Sequence, residues 1–381
     1  MFFIFILAVW TLMHVYVFWR AASVPLISEH VNRGVLLAIA VFLWSSFIIG
    51  RVLAHYGVPL VGRVLEQVGA NWMGLLFLSL VALLVVDIIT GFGYLMPRVA
   101  PGLRGWALVA AGALCIFAIV QGLRAPVVES YEVRMPGLPA DRDGTVVVVA
   151  SDLHVGEIQG KQWLAERVEQ IEAQKPDLLI LAGDILEGDG ETVRDLIPVL
   201  RRFSAPLGVW AVTGNHEFYG GYESSVRAFR DSGFHVLTDQ WAEAAPGLLV
   251  AGVDDLTARR RRTGSVDGFV ERALAGRPNG AATLFVSHSP WNAEVAAKAG
   301  AGLMVSGHTH NGQIWPFTYV VRAVYPFISG RYDLNGMAVV VCRGTGTWGP
   351  RMRLWRRGEI ARVTLRSPAV DERRQASHTG D

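Results

Sequence analysis

The chain has 381 residues, a formal net charge of +2 and 51% apolar residues, with a mean hydropathy of +0.34. Its length points to more than one unit, and its near-neutral charge gives no reason to expect a nucleic-acid partner. Two cysteines, Cys115 and Cys342, lie far apart, so the polar C-terminal part, with one thiol, forms no internal disulfide.

In chain order, apolar runs come first. Phe2–Trp19 is closed by Arg20; Gly34–Gly50 is bracketed by Arg33 and Arg51; further runs extend over Trp72–Leu95 and Gly105–Leu123. Each is close to the ~17–25 residues that cross a bilayer as a helix. Four transmembrane helices are therefore expected in residues 1–124, making this an integral protein of the inner or plasma membrane. The first run lacks a basic leader region and exceeds the usual length of a cleaved signal, although Ala21-Ala22-Ser23 after it suits a cleavage site. Asp87, near the end of the third run, is expected to make an interfacial or interhelical hydrogen bond. Four spans put the N-terminus, the Arg51–Ala70 loop and the C-terminal part on one side. Arg51, Arg63, Arg124 and Arg134 there balance Arg20, Arg33, Arg98 and Arg104 opposite. The charge rule thus selects no side, and the cytoplasmic face is the working expectation.

After Pro126 the pattern changes. Residues 125–366 read as a globular domain and 367–381 as a polar, disordered tail. Ala125–Asp143 supplies an entry strand and connection. Strands then alternate with helices: Thr145–Ala150, a helix over Lys161–Ala173, Leu178–Ala182, a helix over Glu191–Phe203, Leu207–Val212, and a helix over Glu223–Ser232. That alternation predicts a layered α/β fold. Leu248–Val253, Ala282–Val286, Leu303–Val305, Met337–Cys342 and Ala361–Leu365 follow with fewer helices between them, which predicts a second, more antiparallel sheet.

Apolar strands repeatedly end in metal-competent side chains. Val146–Ala150 runs into Ser151-Asp152-Leu153-His154, Leu178–Leu181 into Ala182-Gly183-Asp184, and Val209–Val212 into Thr213-Gly214-Asn215-His216-Glu217. Thr283–Val286 delivers Ser287-His288, and Leu303–Val305 delivers Ser306-Gly307-His308-Thr309-His310. Any one of these residues has a bland reading, since Asp and Asn cap helices and shape turns. Five such strand ends in succession point instead to a shared site at the carboxyl edge of a sheet, where α/β folds place ligands. Neither a nucleophilic-serine elbow nor a phosphate-binding Gly-Lys-Ser/Thr loop competes.

These blocks, in this order, resemble the signature of the calcineurin-like metallophosphoesterases over roughly residues 145–365. The segment Gly344–Arg353 also resembles the closing segment of the family's bacterial membrane-associated branch. The resemblance implies a four-layer sandwich of two mixed β-sheets flanked by helices, here preceded by the four transmembrane helices. It implies two divalent or transition-metal ions. Asp152, His154 and His310 would bind one, Asn215, His288 and His308 the other, and Asp184 would bridge them. Mixed nitrogen and oxygen donors suit Mn, Fe or Zn without choosing among them. His216 would protonate the leaving oxygen or stabilise the transition state, with Glu217 or Asp152 to orient it.

Two further stretches carry either a bland or a functional reading. Arg259–Arg262 is a solvated loop or a contact for anionic headgroups or substrate phosphate. Ile314–Val321 is strand packing or an apolar shelf facing a bilayer. Tethering raises the local concentration of lipid-borne phosphoesters, so the expected activity is hydrolysis of a phosphomonoester, phosphodiester or pyrophosphate in a lipid or lipid-linked substrate. The alternatives are an anchored enzyme for soluble nucleotides and a non-catalytic membrane scaffold. Retention of all seven candidate ligands and His216 disfavours the scaffold.

Overall fold

The computed structural model describes residues 2–156, 158–188 and 190–368, so the tail expected over 367–381 lies almost wholly outside the described residues. The chain divides into two compact units, Met1–Arg124 with Trp348–Arg356, and Ala125–Thr347 with Arg357–Asp381.

In the first unit, the helices Phe2–Ala21, Arg33–His55, Pro59–Ile89 and Ala100–Leu123 are each long and apolar enough to cross a membrane. The expected Arg51–Ala70 loop is instead mostly helix, since Pro59 opens a 31-residue helix at the position where proline's missing N–H costs nothing. Gly50 and Gly69 let the second and third long helices approach closely, for a Cβ on Gly69 would lie 2.5 Å from the Phe47 nitrogen. Asp87 is fully buried. Arg104 donates to it through Nε and Nη2 at 3.0 and 2.9 Å, Tyr16 through its hydroxyl at 2.6 Å, and Arg20 Nε lies 2.6 Å away. It ties three helices together, as an intramembrane acid does when its partners are built in. The Arg353 N–H donates to the Ala118 carbonyl at 2.9 Å, and the Trp355 ring packs on Phe117 at 5.8 Å, which brings Trp348–Arg356 into this unit.

The second unit holds two six-stranded sheets. The first contains β1 (Val127–Arg134), β2 (Val146–Ala150), β3 (Leu178–Ala182), β4 (Val209–Val212), β5 (His235–Val236) and β12 (Glu359–Arg366), ordered β1-β12-β2-β3-β4-β5. The second contains β6 (Gln240–Ala245), β7 (Leu248–Gly252), β8 (Ala282–Val286), β9 (Leu303–Ser306), β10 (Gly330–Leu334) and β11 (Met337–Val341), ordered β10-β11-β9-β8-β7-β6. Strand alternation sorts the side chains into layers. Val147 and Val149 of β2 meet Leu284, Val286, Leu303 and Val305 between the sheets. Val148 and Ala150 face outward onto Leu164, Val168 and Ile171 of the helix Lys161–Glu172. On the far side, Phe285 and Met304 pack against Val270 and Ala293. Central strands covered on both faces read as unbroken apolar runs, which is why they were legible.

The second sheet is less antiparallel than expected: β7, β8, β9 and β11 run parallel, with antiparallel pairing at β6–β7 and β10–β11. Its crossovers are the short helices Leu256–Thr263, Phe269–Leu274 and Ala293–Lys298, whose six to eight residues give little periodic signal. Arg259–Arg262 therefore lies in a helix rather than a loop, with Asp255 as its N-cap accepting the Ala258 N–H at 2.6 Å. Phe317–Val324 is likewise a helix, not a strand.

Candidate metal centre

Strands β2, β3 and β4 are mutually parallel, as are β7, β8 and β9, so within each sheet their carboxyl ends share an edge. The loops leaving β2, β3, β4, β8 and β9 deliver the candidate ligands. Five of the seven adopt left-handed backbone, with φ of 53° at Asp152, 47° at His154, 52° at Asp184, 71° at His308 and 47° at His310. Each such turn costs about 1 kcal/mol and persists where the surroundings over-determine it. The surroundings here are backbone bonds: Asp152 N–H to the Gly183 carbonyl at 3.0 Å, His154 N–H to the Asp184 carbonyl at 3.0 Å, and Gly307 N–H to the His288 carbonyl at 2.9 Å. Gly307 and Gly214 allow the loops to touch, since a Cβ on Gly307 would overlap Asp152 Oδ2 and one on Gly214 would overlap Asp184 Oδ1.

The side chains converge in two groups whose donor atoms lie within 4.8 Å of one another, Asp152 with His154 and His310, and Asp184 with His288 and His308. His154 Nε2 faces His310 Nε2 at 3.2 Å, and His310 Nε2 lies 3.3 Å from Asp152 Oδ1. In the second group His288 Nε2 is 3.0 Å from Asp184 Oδ2 and 3.2 Å from His308 Nδ1. Asp184 Oδ2 is also 3.9 Å from His154 Nε2, which places this carboxylate between the two groups. A third grouping joins His154, Asp184 and His216. Asn215 Oδ1 is buried with no hydrogen-bond partner.

Such a set fits cations. Imidazole nitrogens facing each other at hydrogen-bond distance, buried carboxylates and an amide oxygen with no hydrogen-bond partner bring many lone pairs to one place. The rings are aimed by outer partners, as metal-binding histidines are. His288 Nδ1 bonds the Ala182 carbonyl at 2.8 Å, leaving Nε2 inward, and His308 Nε2 bonds the Tyr325 hydroxyl at 2.7 Å, leaving Nδ1 inward. The His308 N–H donates to Asp152 Oδ1 at 3.0 Å.

Electrostatics follow from this crowding. Burial works to raise the Asp152 carboxyl, but the His310 and His288 imidazoles outweigh it and hold the group well below the carboxylate range. Burial likewise opposes ionisation of Asp184, and His288 and His216 overcome it. His154 is lowered to about 3 by burial and the neighbouring His216, and His308 to about 4 by burial and His288, so both are neutral donors near neutral pH. His216 goes the other way. Burial would lower it, yet Asp184 and Glu187 raise it to about 9.

Glu217 does not orient His216. Its carboxylate accepts four backbone N–H groups, from Asp184 at 3.0 Å, Ile185 at 2.8 Å, Leu186 at 2.9 Å and Gly214 at 2.6 Å. Nor does Asp152 serve, being engaged with His308 and His310. Glu187 lies against the His216 ring, with Oε1 3.5 Å from His216 Nδ1 and Oε2 3.7 Å from His154 Nδ1. Sequence reading missed Glu187, whose signal was an acid three residues beyond Asp184. It also missed Tyr325, which no local pattern connects to His308.

Residues 145–312 match the family model described as calcineurin-like phosphoesterase. An uncharacterized metallophosphoesterase from Aquifex aeolicus is 32% identical over 247 residues, spanning 63% of this chain and 91% of that protein. A transmembrane protein with metallophosphoesterase domain from Danio rerio is 29% identical over 276 residues, 68% of this chain; the match spans 62% of that relative's length. Among solved structures, a dimetal phosphatase from Danio rerio has a TM-score of 0.37 at 14% identity, over 53% of this chain and 88% of that one, a likeness too low to carry an argument.

Proposed function

Because this chain belongs to the calcineurin-like metallophosphoesterase family, we propose that it is a membrane-anchored, two-metal phosphoesterase acting on a phosphoester carried by a lipid or lipid-linked molecule. Asp152, His154 and His310 would hold one ion and Asn215, His288 and His308 the other, with Asp184 shared. When bound, the two cations would polarise the phosphoryl group and lower the pKa of water.

The remaining work falls to side chains. His216, charged near neutral pH through Asp184 and Glu187, holds the proton for the leaving oxygen. Glu187 keeps that imidazole charged and faces it toward the cluster. The Ala182 carbonyl requires an N–H on His288 Nδ1, and the Tyr325 hydroxyl holds the His308 ring through Nε2. Glu217 locks the loops bearing Asp184 and Asn215 together.

The observation that carries the lipid reading is the helix Phe317–Val324. It starts seven residues after His310, buries none of its residues, and runs directly into Tyr325 on His308. Trp315, Phe317, Tyr319, Val320 and Val324 are all exposed, an apolar cluster of the kind that marks a binding surface. Four helices able to span a bilayer supply the setting. The test is a phosphoester panel on the full chain in detergent, loaded with Mn, comparing phospholipid and isoprenoid phosphates with a chromogenic phosphodiester and soluble nucleotides. Preference for the lipidic substrates is expected. Equal or better turnover of nucleotides would reduce the helices to a tether, and no hydrolysis across the panel would revive a scaffold.

A further inference from the structure

The helix Leu256–Thr263 carries four consecutive arginines with different surroundings. Arg259 is neutralised by Asp239 and Asp254, at 2.9 and 2.8 Å. Arg260 lies over the Trp291 ring at 4.9 Å, and Trp291 stacks on Tyr325 at 5.5 Å. Arg261 lies over the Tyr219 ring at 5.4 Å and contacts the Tyr219 hydroxyl. Tyr219 in turn packs edge-on against the His216 ring at 5.4 Å. Arg262 is exposed.

Arg261 thus stands one phenol ring from the proposed proton donor. Tyr325, whose hydroxyl bonds His308 at 2.7 Å, joins the same helix through Trp291 and Arg260. The helix is fixed to that side of the site from below: Asp255 caps it and accepts the Ser289 hydroxyl at 2.5 Å, and Ser289 bonds Thr257 at 2.9 Å. An exposed guanidinium held over an aromatic ring is pre-organised for a phosphate.

We propose that Arg261, with the Tyr219 and Tyr325 hydroxyls, binds a second phosphoryl group of the substrate, so that the favoured substrate is a diphosphate rather than a lone phosphate ester. The assignment rests on the phosphoesterase reading above. His216 donates to the leaving oxygen, so the leaving group lies on the His216 side, where Tyr219 holds Arg261. In the reaction, water oxygen bonds to the phosphorus seated at the Asp–His cluster and the bridging P–O bond breaks. The proton of His216 passes to the departing phosphate oxygen, and the proton lost by water restores the imidazole. Arg261 offsets the charge left on the departing phosphate.

The test uses the full Mn-loaded chain in detergent. Calorimetry measures binding of imidodiphosphate and of inorganic phosphate to wild type, Arg261→Ala, Arg261→Lys and Arg262→Ala. Hydrolysis of farnesyl diphosphate against farnesyl monophosphate, and of adenosine diphosphate against adenosine monophosphate, gives two selectivity ratios. Arg261→Ala should weaken imidodiphosphate about tenfold or more while phosphate changes less than about threefold, and should lower both diphosphate preferences. Arg261→Lys should recover part of the loss, and Arg262→Ala should change neither. The larger ratio within the farnesyl pair or the adenosine pair identifies a lipidic or a soluble source for the diphosphate. Equal loss for both anions, or none, overturns the subsite even if the enzyme is active. If no ester is hydrolysed but Arg261→Ala still loses imidodiphosphate selectively, the catalytic reading fails and the anion site stands.

Discussion

The Glu217 carboxylate accepts the backbone N–H of Asp184 at 3.0 Å, and the same carboxylate accepts three more N–H groups from Ile185, Leu186 and Gly214. A fully buried acid here does the work of a structural clasp between two ligand loops. Burial and the charge of Asp184 push it up to about 7 against the pull of those donors. Glu217→Ala leaves four buried donors unpaired, at a cost of about 1–3 kcal/mol for each donor that finds no water. The expected outcome is a clearly lowered melting temperature of the full chain together with loss of bound metal; an unchanged melting temperature would contradict the clasp.

Glu187 acts on His216 through charge. It is one of the groups that raise His216, so Glu187→Gln lowers the folded pKa of the imidazole. A proton donor is active below its pKa, so the alkaline limb of the kcat profile should move to lower pH, with kcat at pH 8 falling below that of wild type. A profile of unchanged shape would mean that Glu187 serves only the fold. The Mn-loaded variant is the material to measure, since bound cations share the charge of Asp184.

The strand ends were legible because chemistry and local pattern coincide there: β2, β3, β4, β8 and β9 are unbroken apolar runs, each followed at once by Asp, Asn or His. The four long apolar helices were legible for the same reason, composition alone sufficing. What stayed hidden depends on contacts distant in sequence. Tyr325 reaches His308 from 17 residues away, and Arg261 meets Tyr219, 42 residues upstream. Leu256–Thr263 was missed because its arginines give no apolar period. Glu217 follows His216 directly, yet a helical turn points successive side chains in different directions.

Gly307 gives a steric prediction. In Gly307→Ala the new Cβ would overlap Asp152 Oδ2 and lie 2.5 Å from Ser151 Oγ, so the Asp152 carboxylate must move. Both strands remain in place, so secondary structure by circular dichroism should be preserved while turnover falls about a hundredfold from the misplaced ligand. Near-native turnover would show that the loop relaxes freely.

Tyr325→Phe removes the hydrogen bond to His308 Nε2 and keeps the ring that stacks on Trp291. Outer partners of this kind are worth about 10–100-fold in metal affinity. Titration with a competing chelator should show one ion lost more easily than in wild type, the other unaffected. Identical release of both ions would remove Tyr325 from the site's support.

The central claim is that the cluster around Asp184 holds two ions which the hydrolysis requires. Elemental analysis of the full chain, purified in detergent and loaded with Mn, measures it directly, with the same sample assayed on a phosphoester before and after chelation. Two ions per chain are expected, with activity lost on chelation and regained on reloading, and with Asp184→Asn losing both metal and turnover. A saturated stoichiometry of one or none, or hydrolysis that survives chelation, would contradict the account.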